Sequence, residues 1–496
     1  METKVLGMTG TKRRIRPQEV LFFCAAALFV LFFFGELDLR GPEQTWLSRI
    51  RDTAVFAALM VAAPAAARRL AGRRRIRAFL SGSEGRNLLL LAALAVIPRA
   101  VWQAAVPARI DSDYALYVRM GAWYAENGVP MTDYYLLTVA PNAVTYSVLT
   151  GLLMRLFGTS AATLAVFAAA LNTACILLLY RIGRKLASAP RAFAAAAVFA
   201  LLPENVFYSN VPGIEAPALF TILLGLLLIL SAKGRKPAAG ALLCFGGGIA
   251  LGVSACIRAN AYAALIAAGI LLLRQREPEA EKAAGRRILL IAALAAGTAA
   301  ALFAQQGLKG ALFTEKQPAS GLGWPIYEGL DLENGGKWTP EKSARCIEVI
   351  NAYEPAEADA VFLREGLARF RGYSFGQKLR MFLRKGGALW YETRYALFAL
   401  EGTEAEIRLN RAAHLAWAAC LAAFAAGLLY RSRRPVPERM RPAACLAPAV
   451  ILMTTAWHMA GTSIGRYHYM LIPFVLITAA MLLPGRGDGK ERRDGE

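Results

Sequence analysis

Residues 87–106 read NLLLLAALAVIPRAVWQAAV, and the polar stretch RIDSDYALYVRMGAWY (109–124) follows almost at once. The first stretch supplies the ~20 apolar residues that an α-helix needs to span the hydrocarbon core of a bilayer. The second places two carboxylates, Asp111 and Asp113, just beyond the end of that helix. Together the two stretches predict a membrane helix that opens onto an acidic segment in water.

Apolar runs of similar length recur along the 496 residues, which are 56% hydrophobic and have a mean hydropathy of +0.40. We therefore predict an all-α polytopic membrane protein with about twelve transmembrane helices. The N-terminal run is counted among them because it lacks the small-residue cleavage site of a signal peptide. The predicted spans are residues 20–34, 53–67, 87–106, 160–180, 192–209, 214–231, 238–256, 261–273, 287–305, 411–430, 442–461 and 468–483.

Basic residues identify the predicted cytoplasmic side. The formal net charge of +22 would indicate nucleic acid in a soluble protein, but in a membrane protein basic clusters first mark cytoplasmic loops. The clusters fall on alternate connections, from KRRIR (12–16) to KERR (490–493). We therefore expect both termini in the cytoplasm, residues 109–124 outside, and no nucleic-acid partner. The abundance of Ala and Arg indicates a GC-rich bacterial genome, hence the bacterial inner membrane.

Cysteine and histidine residues indicate neither a disulfide framework nor a zinc site. The seven cysteines have no zinc-type spacing, and His414, His458 and His468 are far apart in sequence. We therefore predict no metal site built from three such ligands. A divalent cation held by carboxylates is the one cofactor that the sequence leaves open.

Two external connections are long enough to carry structure of their own. Residues 107–159 include AVTYSVLTGLLMRLFG (143–158), which we expect to lie as a helix in the membrane interface. Residues 306–410 are too long for a structureless loop and predict a small external subdomain. The predicted organisation is an N-terminal two-helix addition (1–86), a transmembrane core (87–305), the external subdomain (306–410), the C-terminal helices (411–483) and a cytoplasmic tail (484–496).

The predicted subdomain contains two recognisable helix starts. Thr339 is expected to cap a helix whose first residue is Pro340, because threonine is favoured at the cap and proline at the position after it. The stretch SFGQKLRMFLRKGG (374–387) predicts a basic amphipathic helix that ends at Gly386.

The acidic segment after residue 106 has two interpretations. In a helical DYALYVRMGAWY (113–124), Asp113, Tyr117 and Met120 share one face, because side chains three or four residues apart are neighbours. Such a carboxylate would be held where membrane meets water, which fits a functional acid. Alternatively, Asp111 or Asp113 is an ordinary N-cap that accepts hydrogen bonds from the free N–H groups of the helix.

Distant parts of the chain place further charges at the same predicted outer interface. Glu204 and Glu215 lie where LLPENVFYSNVPGIEAPALFTILLG (201–225) leaves the membrane and returns, while Arg258 and Arg466 lie at the outer ends of other spans. Each has a plain explanation, since glutamates favour helix N-termini and arginines snorkel to lipid headgroups. Together, acids that could activate a hydroxyl and guanidiniums suited to phosphate indicate transfer from a phosphate-linked lipid donor.

With these residues in view, the sequence resembles the GT-C class of integral membrane glycosyltransferases, which includes protein O-mannosyltransferases and bacterial lipid A aminoarabinose transferases. The similarity begins in an external loop that starts with acids, DSDYALYVRMGAWYAENG (111–128). It continues in the Pro, Tyr-Ser and Glu pattern of PENVFYSNVPGIEAPALF (203–220), in the Gly-rich GGGIALGVSACIRANAY (246–262) and in GRYHYMLIPF (465–474). The resemblance covers roughly residues 87–483.

The resemblance implies a GT-C fold and a polyprenyl-phosphate sugar as donor. The acceptor would be a hydroxyl on a lipid, a glycan or a protein outside the membrane. It also implies that an aspartate of the first external loop is the base of an inverting displacement; Asp113 matches that position, with Asp111 as second choice and Glu215 as an orienting acid. The common Asp-Glu pair of the family is absent, since Tyr114 follows Asp113, so a metal role for these acids stays open.

The other candidate residues follow from the same resemblance and location. The predicted donor-phosphate residues are Arg258, Arg466, Lys378 and Arg384. The predicted substrate-binding residues are Tyr117, Tyr467, His468, Trp324 and Tyr327. Alternatively, Lys378 and Arg384 bind the anionic headgroups of membrane lipids, and the rings of Trp324 and Tyr327 form a small core.

Two other functions remain open at the level of sequence. A transporter or lipid flippase would have inverted repeats and charges at mid-membrane, whereas these acids gather at one face. A glycan polymerase or ligase would use the same lipid donors, and its large external loop resembles residues 306–410.

Overall fold

The chain is helical throughout the part that the structure describes. The structure is a computed structural model that describes residues 17–39, 73–106, 108, 112–131, 134–140, 142–274, 280–312, 321–432 and 441–483, with isolated positions between 54 and 69. Its regular elements are α-helices and short 3-10 turns, and no strand occurs among these residues. The all-α prediction is therefore confirmed.

The helices have the following bounds in chain order. The first part contains α1 (Pro17–Leu39), α2 (Arg74–Gly82), α3 (Glu84–Ala105), α4 (Ser112–Asn127), α5 (Tyr134–Val139), α6 (Ala143–Phe157) and α7 (Ala161–Leu186). The middle contains α8 (Ala189–Leu201), α9 (Pro203–Phe207), α10 (Glu215–Ser231), α11 (Pro237–Ile257), α12 (Ala261–Leu273) and α13 (Ala280–Leu312). The last part contains α14 (Gly323–Gly329), α15 (Pro340–Ala352), α16 (Pro355–Gly372), α17 (Phe375–Tyr391), α18 (Glu404–Ser432), α19 (Arg441–Ala460) and α20 (Ile472–Leu482).

Six helical segments in the described part of the chain are long and apolar enough to cross a membrane. They are Glu84–Ala105, Ala161–Leu186, Pro237–Ile257, Ala284–Ala311, Glu404–Ser432 and Gly465–Leu482. Each coincides with a predicted span. The chain therefore has the helices of a polytopic membrane protein.

The predicted number of about twelve spans is not confirmed. The predicted span 192–209 is two helices, α8 and α9, bent by 59°, and counting them as one span raises the number to seven. Two other predicted spans, 214–231 and 261–273, coincide with apolar helices of only 17 and 13 residues, short of the ~20 that a straight crossing needs. The predicted span 53–67 lies almost entirely outside the described residues.

The bend between α8 and α9 has a clear local cause. Pro203 begins α9, and proline favours the first turn of a new helix over the interior of an old one. The buried guanidinium of Arg99 on α3 then donates to the carbonyl oxygens of Ala200 at 3.1 Å and Asn205 at 3.5 Å. Arg99 thus supplies donors to backbone carbonyls at the bend, where lipid could supply none.

Helix α17 continues to Tyr391, so the prediction that it ends at Gly386 is wrong. Gly386 packs against the ring of Phe32 on α1, so closely that a Cβ at this position would collide with the ring. The glycine therefore serves a close helix contact instead of ending the helix. The predicted cap at Thr339 is confirmed, since its hydroxyl accepts from the N–H of Lys342 at 3.3 Å and Pro340 is the first helical residue.

One buried lysine, Lys385, connects three helices. Lys385 on α17 donates from Nζ to the carbonyl oxygens of Gly329 at 2.6 Å and Gly461 at 2.7 Å. Gly329 is the last residue of α14, and Gly461 directly follows α19. An ammonium group stabilises the carbonyl ends of helices, so Lys385 joins α14, α17 and α19.

Candidate active site

Helix α4 and the last membrane-length segment meet at an ion pair. Asp113 lies in the first turn of α4, and Arg466 lies in a 3-10 turn (Gly465–Leu471) that leads into α20. Arg466 Nη2 donates to Asp113 Oδ2 at 2.5 Å. The guanidinium lowers the pKa of the Asp113 carboxyl below its usual value, because the adjacent positive charge favours the ionised form. The Asp113 side chain remains 36% exposed, so it is accessible from outside.

A second ion pair joins the helices that follow the bend. Glu215 is the first residue of α10, and Arg258 directly follows α11. Arg258 Nη1 donates to Glu215 Oε1 at 2.7 Å, and the two side chains are only 11% and 4% exposed. In the described part of the chain Oε2 of Glu215 has no hydrogen-bond partner. A buried carboxylate oxygen without a donor can accept a hydrogen bond from a ligand.

Tyr467 unites the two ion pairs into one site. Its ring centroid lies 4.6 Å from the guanidinium carbon of Arg258 and 5.4 Å from that of Arg466. The Tyr467 ring also stacks with the His458 ring, and the two ring centroids are 4.5 Å apart. Each guanidinium is paired with a carboxylate, so an anion with several oxygens can bind the two guanidiniums only by competing with Asp113 or Glu215.

Tyrosines of α4 and α6 form a wall beside Asp113. The rings of Tyr114 and Tyr117 are 6.4 Å apart, and Tyr117 meets Tyr146 edge to face at 5.5 Å. Tyr146 donates from its hydroxyl to the carbonyl of Gly213 at 3.1 Å, which ties α6 to the segment before Glu215. Tyr117 is buried, so α4 turns its predicted tyrosine face toward the site.

Glu328 of α14 was not among the sequence candidates, although it lies close enough to Asp113 for the two charges to interact. Its Oε2 accepts from the hydroxyl of Thr462 at 2.6 Å, and burial raises the pKa of its carboxyl. Thr462 precedes Arg466 by four residues, so this bond links an outer helix to the turn that carries the arginine. In sequence Glu328 is the first of three nearby acids, followed by Asp331 and Glu333, and nothing in the pattern distinguishes it from them.

Several other predicted residues make contacts among the outer helices instead of with the two ion pairs. Trp324 and Tyr327 pack on Phe362 in a small core, with ring distances of 5.1 and 5.5 Å. Lys378 lies 4.9 Å from the Phe370 ring centroid, and Arg384 donates to the carbonyl of Leu332 at 3.4 Å.

His468 is fully buried beneath the site, where it contacts Glu204. Asp111 lies outside the described residues, so its place is not established. Across the described ranges no group of three or more His, Cys, Asp or Glu side chains could hold a metal ion.

No protein-family model matches the chain, and no curated protein matches it at a significant level. Among solved structures, it is similar to the archaeal oligosaccharyltransferase AglB from Archaeoglobus fulgidus in complex with an inhibitory peptide and a dolichol-phosphate. The identity is 15% and the TM-score 0.35, over 77% of this chain. The chain spans 56% of the length of that protein. This similarity is too low to assign an activity, so the function is argued from the site itself.

Proposed function

We propose that the chain is a membrane glycosyltransferase of the GT-C type, which moves a sugar from a polyprenyl-phosphate donor to an acceptor hydroxyl. The observation that carries the proposal is the arrangement of Asp113–Arg466 and Arg258–Glu215 around the ring of Tyr467. Guanidiniums are suited to phosphate, and a carboxylate can accept the proton of a hydroxyl. The membrane-length helices supply the setting in which a polyprenyl lipid is presented.

The proposed reaction is a single inverting displacement. Asp113 accepts the proton of the acceptor hydroxyl, and the hydroxyl oxygen forms a bond to the anomeric carbon of the sugar. The bond from that carbon to the phosphate oxygen breaks, and polyprenyl phosphate leaves with the electron pair. Arg258 and Arg466 stabilise the charge that develops on the phosphate, while Glu215 holds Arg258 in place.

Arg466 has to change its partner for this reaction. While Arg466 binds Asp113, the low pKa of that carboxyl keeps it ionised but makes it a weak base. The phosphodiester of the donor carries one negative charge, as the Asp113 carboxylate does, and competes for the same guanidinium. Donor binding therefore releases Asp113, raises its pKa and prepares it for the acceptor, which gives the reaction an order of donor before acceptor.

The proposal includes a place in the cell and roles for the outer residues. We assign the protein to the bacterial inner membrane, with both termini cytoplasmic and Asp113 on the outer face, because basic clusters fall on alternate connections. The acceptor is a lipid, glycan or protein of the cell envelope. Lys378 and Arg384 of α17 are assigned to headgroups of the donor or of other anionic lipids.

The test is the release of polyprenyl phosphate by the purified protein from a panel of radiolabelled polyprenyl-phosphate sugars, with and without EDTA. Transfer by wild type is expected, together with a loss of about 10² to 10⁴-fold in Asp113→Asn. Glu126→Gln, which changes an exposed acid on the same helix, serves as the control. If no donor is consumed by wild type, the proposed function is wrong and a transporter becomes the leading interpretation.

A further inference from the structure

Beneath the site, two charged side chains form a pair that is closed to solvent. Glu204 is 1% exposed and His468 is fully buried. His468 Nε2 lies 2.9 Å from Oε1 and 3.0 Å from Oε2 of Glu204, so both carboxylate oxygens face the same ring nitrogen. The other ring nitrogen, Nδ1, lies 2.7 Å from the carbonyl oxygen of Leu389. Every polar atom of the imidazole therefore has a partner.

These contacts fix where the protons are. The Leu389 carbonyl can only accept, so Nδ1 of His468 must carry a hydrogen and donate it. One further proton then lies between Nε2 and Glu204, either on the ring or on the carboxyl. In both cases the pair is neutral as a unit, which makes its burial tolerable, whereas removing the carboxylate leaves Nε2 without an acceptor or donor.

The pair connects three elements: α9, α17 and the 3-10 turn that contains His468. Glu204 belongs to α9, directly after the bend at Pro203, and Leu389 belongs to the last turns of α17. The His468 ring also stacks on Trp417 of α18 with a centroid distance of 5.0 Å. His468 is thus held from three helices at once.

His468 is adjacent in sequence to the residues that form the site. Arg466, Tyr467 and His468 are consecutive in the 3-10 turn, and their side chains contact Asp113, Arg258 and Glu204 respectively. In so short a turn, the direction of one side chain constrains the direction of the two before it. A fixed His468 therefore limits the positions that Arg466 and Tyr467 can take.

We propose that Glu204 and His468 are positioning residues, a proton-sharing pair that orients the turn carrying Arg466 and Tyr467 against Asp113 and the donor phosphate. This inference rests on the proposed function for its catalytic consequence. Glutamate and histidine do not touch substrate in this assignment; they act through Arg466. A displacement of the guanidinium by a fraction of an ångström weakens contacts that matter most in the transition state.

The experiment compares Glu204→Ala, Glu204→Gln and wild type in nanodiscs, with turnover and the donor KM measured per folded molecule. Glu204→Ala should lower kcat/KM for the donor by about tenfold to a hundredfold. Glu204→Gln should retain most of it, because the glutamine amide donates to Nε2 of a neutral ring. The control is His414→Gln, since His414 Nδ1 lies 2.8 Å from the carbonyl of Tyr391 at the same end of α17.

A role limited to stability makes a different prediction. Glu204→Ala would then lower the Tm while kcat/KM per folded molecule stayed at the wild-type value, and this result would overturn the proposal. An equal loss in His414→Gln would also overturn it, because the effect would not be specific to the pair.

A second readout does not depend on the proposed function. The coupling between Asp113 and Arg466 is measured from the Tm values of Asp113→Asn, Arg466→Gln and the double variant. The cycle is repeated in the Glu204→Ala and Glu204→Gln backgrounds. The coupling should disappear in the first background and persist in the second. Equal coupling in all backgrounds would contradict the positioning role, even if wild type transferred no sugar and the proposed function had failed.

Discussion

Arg466 holds Asp113 at 2.5 Å, although the two residues are 353 positions apart in sequence. The pair joins α4 to the last membrane-length segment and places a base candidate beside a phosphate-binding candidate. Before a substrate binds, the Asp113 carboxylate and the Arg466 guanidinium are therefore bound to each other.

Replacing Asp113 by asparagine should strengthen the binding of polyprenyl phosphate. In wild type the lipid phosphate competes with the Asp113 carboxylate for Arg466, and the neutral amide competes much less. The dissociation constant of polyprenyl phosphate, measured in nanodiscs, should fall severalfold in Asp113→Asn and stay unchanged in Glu126→Gln. Weaker binding in Asp113→Asn would show that Asp113 supports the phosphate site instead of competing with the ligand.

Removing Arg258 alone should destabilise the protein more than removing both members of its ion pair. Arg258→Gln leaves the Glu215 carboxylate buried without its cation, and breaking such a pair costs about 3–5 kcal/mol. In Arg258→Gln/Glu215→Gln two neutral amides can bond to each other, so the Tm should recover in large part. A double variant with a lower Tm than Arg258→Gln would contradict this explanation.

The stability of the protein should rise with pH above neutrality because of Lys385. Burial lowers the pKa of its ammonium to about 7, whereas the ordinary value is 10.5. Between these values the unfolded chain holds a proton that the folded chain has released, so unfolding takes up a proton. The free energy of unfolding should therefore rise by up to about 1.4 kcal/mol per pH unit over this window and be constant below it.

The matched variant is Lys385→Met, which keeps the length of the side chain and cannot titrate. The difference in unfolding free energy between wild type and Lys385→Met should change between pH 7 and pH 10, in favour of wild type as the pH rises. A difference that is independent of pH would show that Lys385 has the same protonation in both states.

Gly465→Ala should impair transfer without removing any functional group. A Cβ at Gly465 would collide with the carbonyl oxygen of Glu392, so the turn that carries Arg466 has to move. Gly376→Ala is the control, because this helical glycine has open space around it and alanine there favours the helix. Turnover should fall in Gly465→Ala only, and equal turnover in both variants would show that the turn tolerates displacement.

The sequence predicted the individual charged residues of the site but not their partners. Asp113, Glu215, Arg258 and Arg466 could each be placed at the outer interface, because alternating basic clusters fix which connections face the same side. Which acid meets which arginine depends on how α4, α10, α11 and the last 3-10 turn pack, and hydropathy carries no such information. The sequence placed Glu204 only as an acid at a helix N-terminus, and its burial against His468 follows from the position of α9 after the bend at Pro203.

The predicted span count is not confirmed, for a related physical reason. Composition alone marks α10 and α12 as membrane segments, since both are strongly apolar. Their lengths of 17 and 13 residues are set by where the helices begin and end: α10 runs from Glu215 to Ser231, and α12 begins directly after Asn260 and ends at Leu273. An apolar run therefore predicts that its residues avoid water, but it does not predict how long the helix is.

The most direct test of the account is the rate at which Asp113→Asn releases polyprenyl phosphate from the donor that wild type consumes. The account predicts a variant that remains monodisperse on gel filtration and still unfolds cooperatively on heating, and whose rate is lower by about 10² to 10⁴-fold. Release at the wild-type rate by Asp113→Asn would contradict the assignment of Asp113 as the base and, with it, the proposed reaction at the Asp113–Arg466 pair.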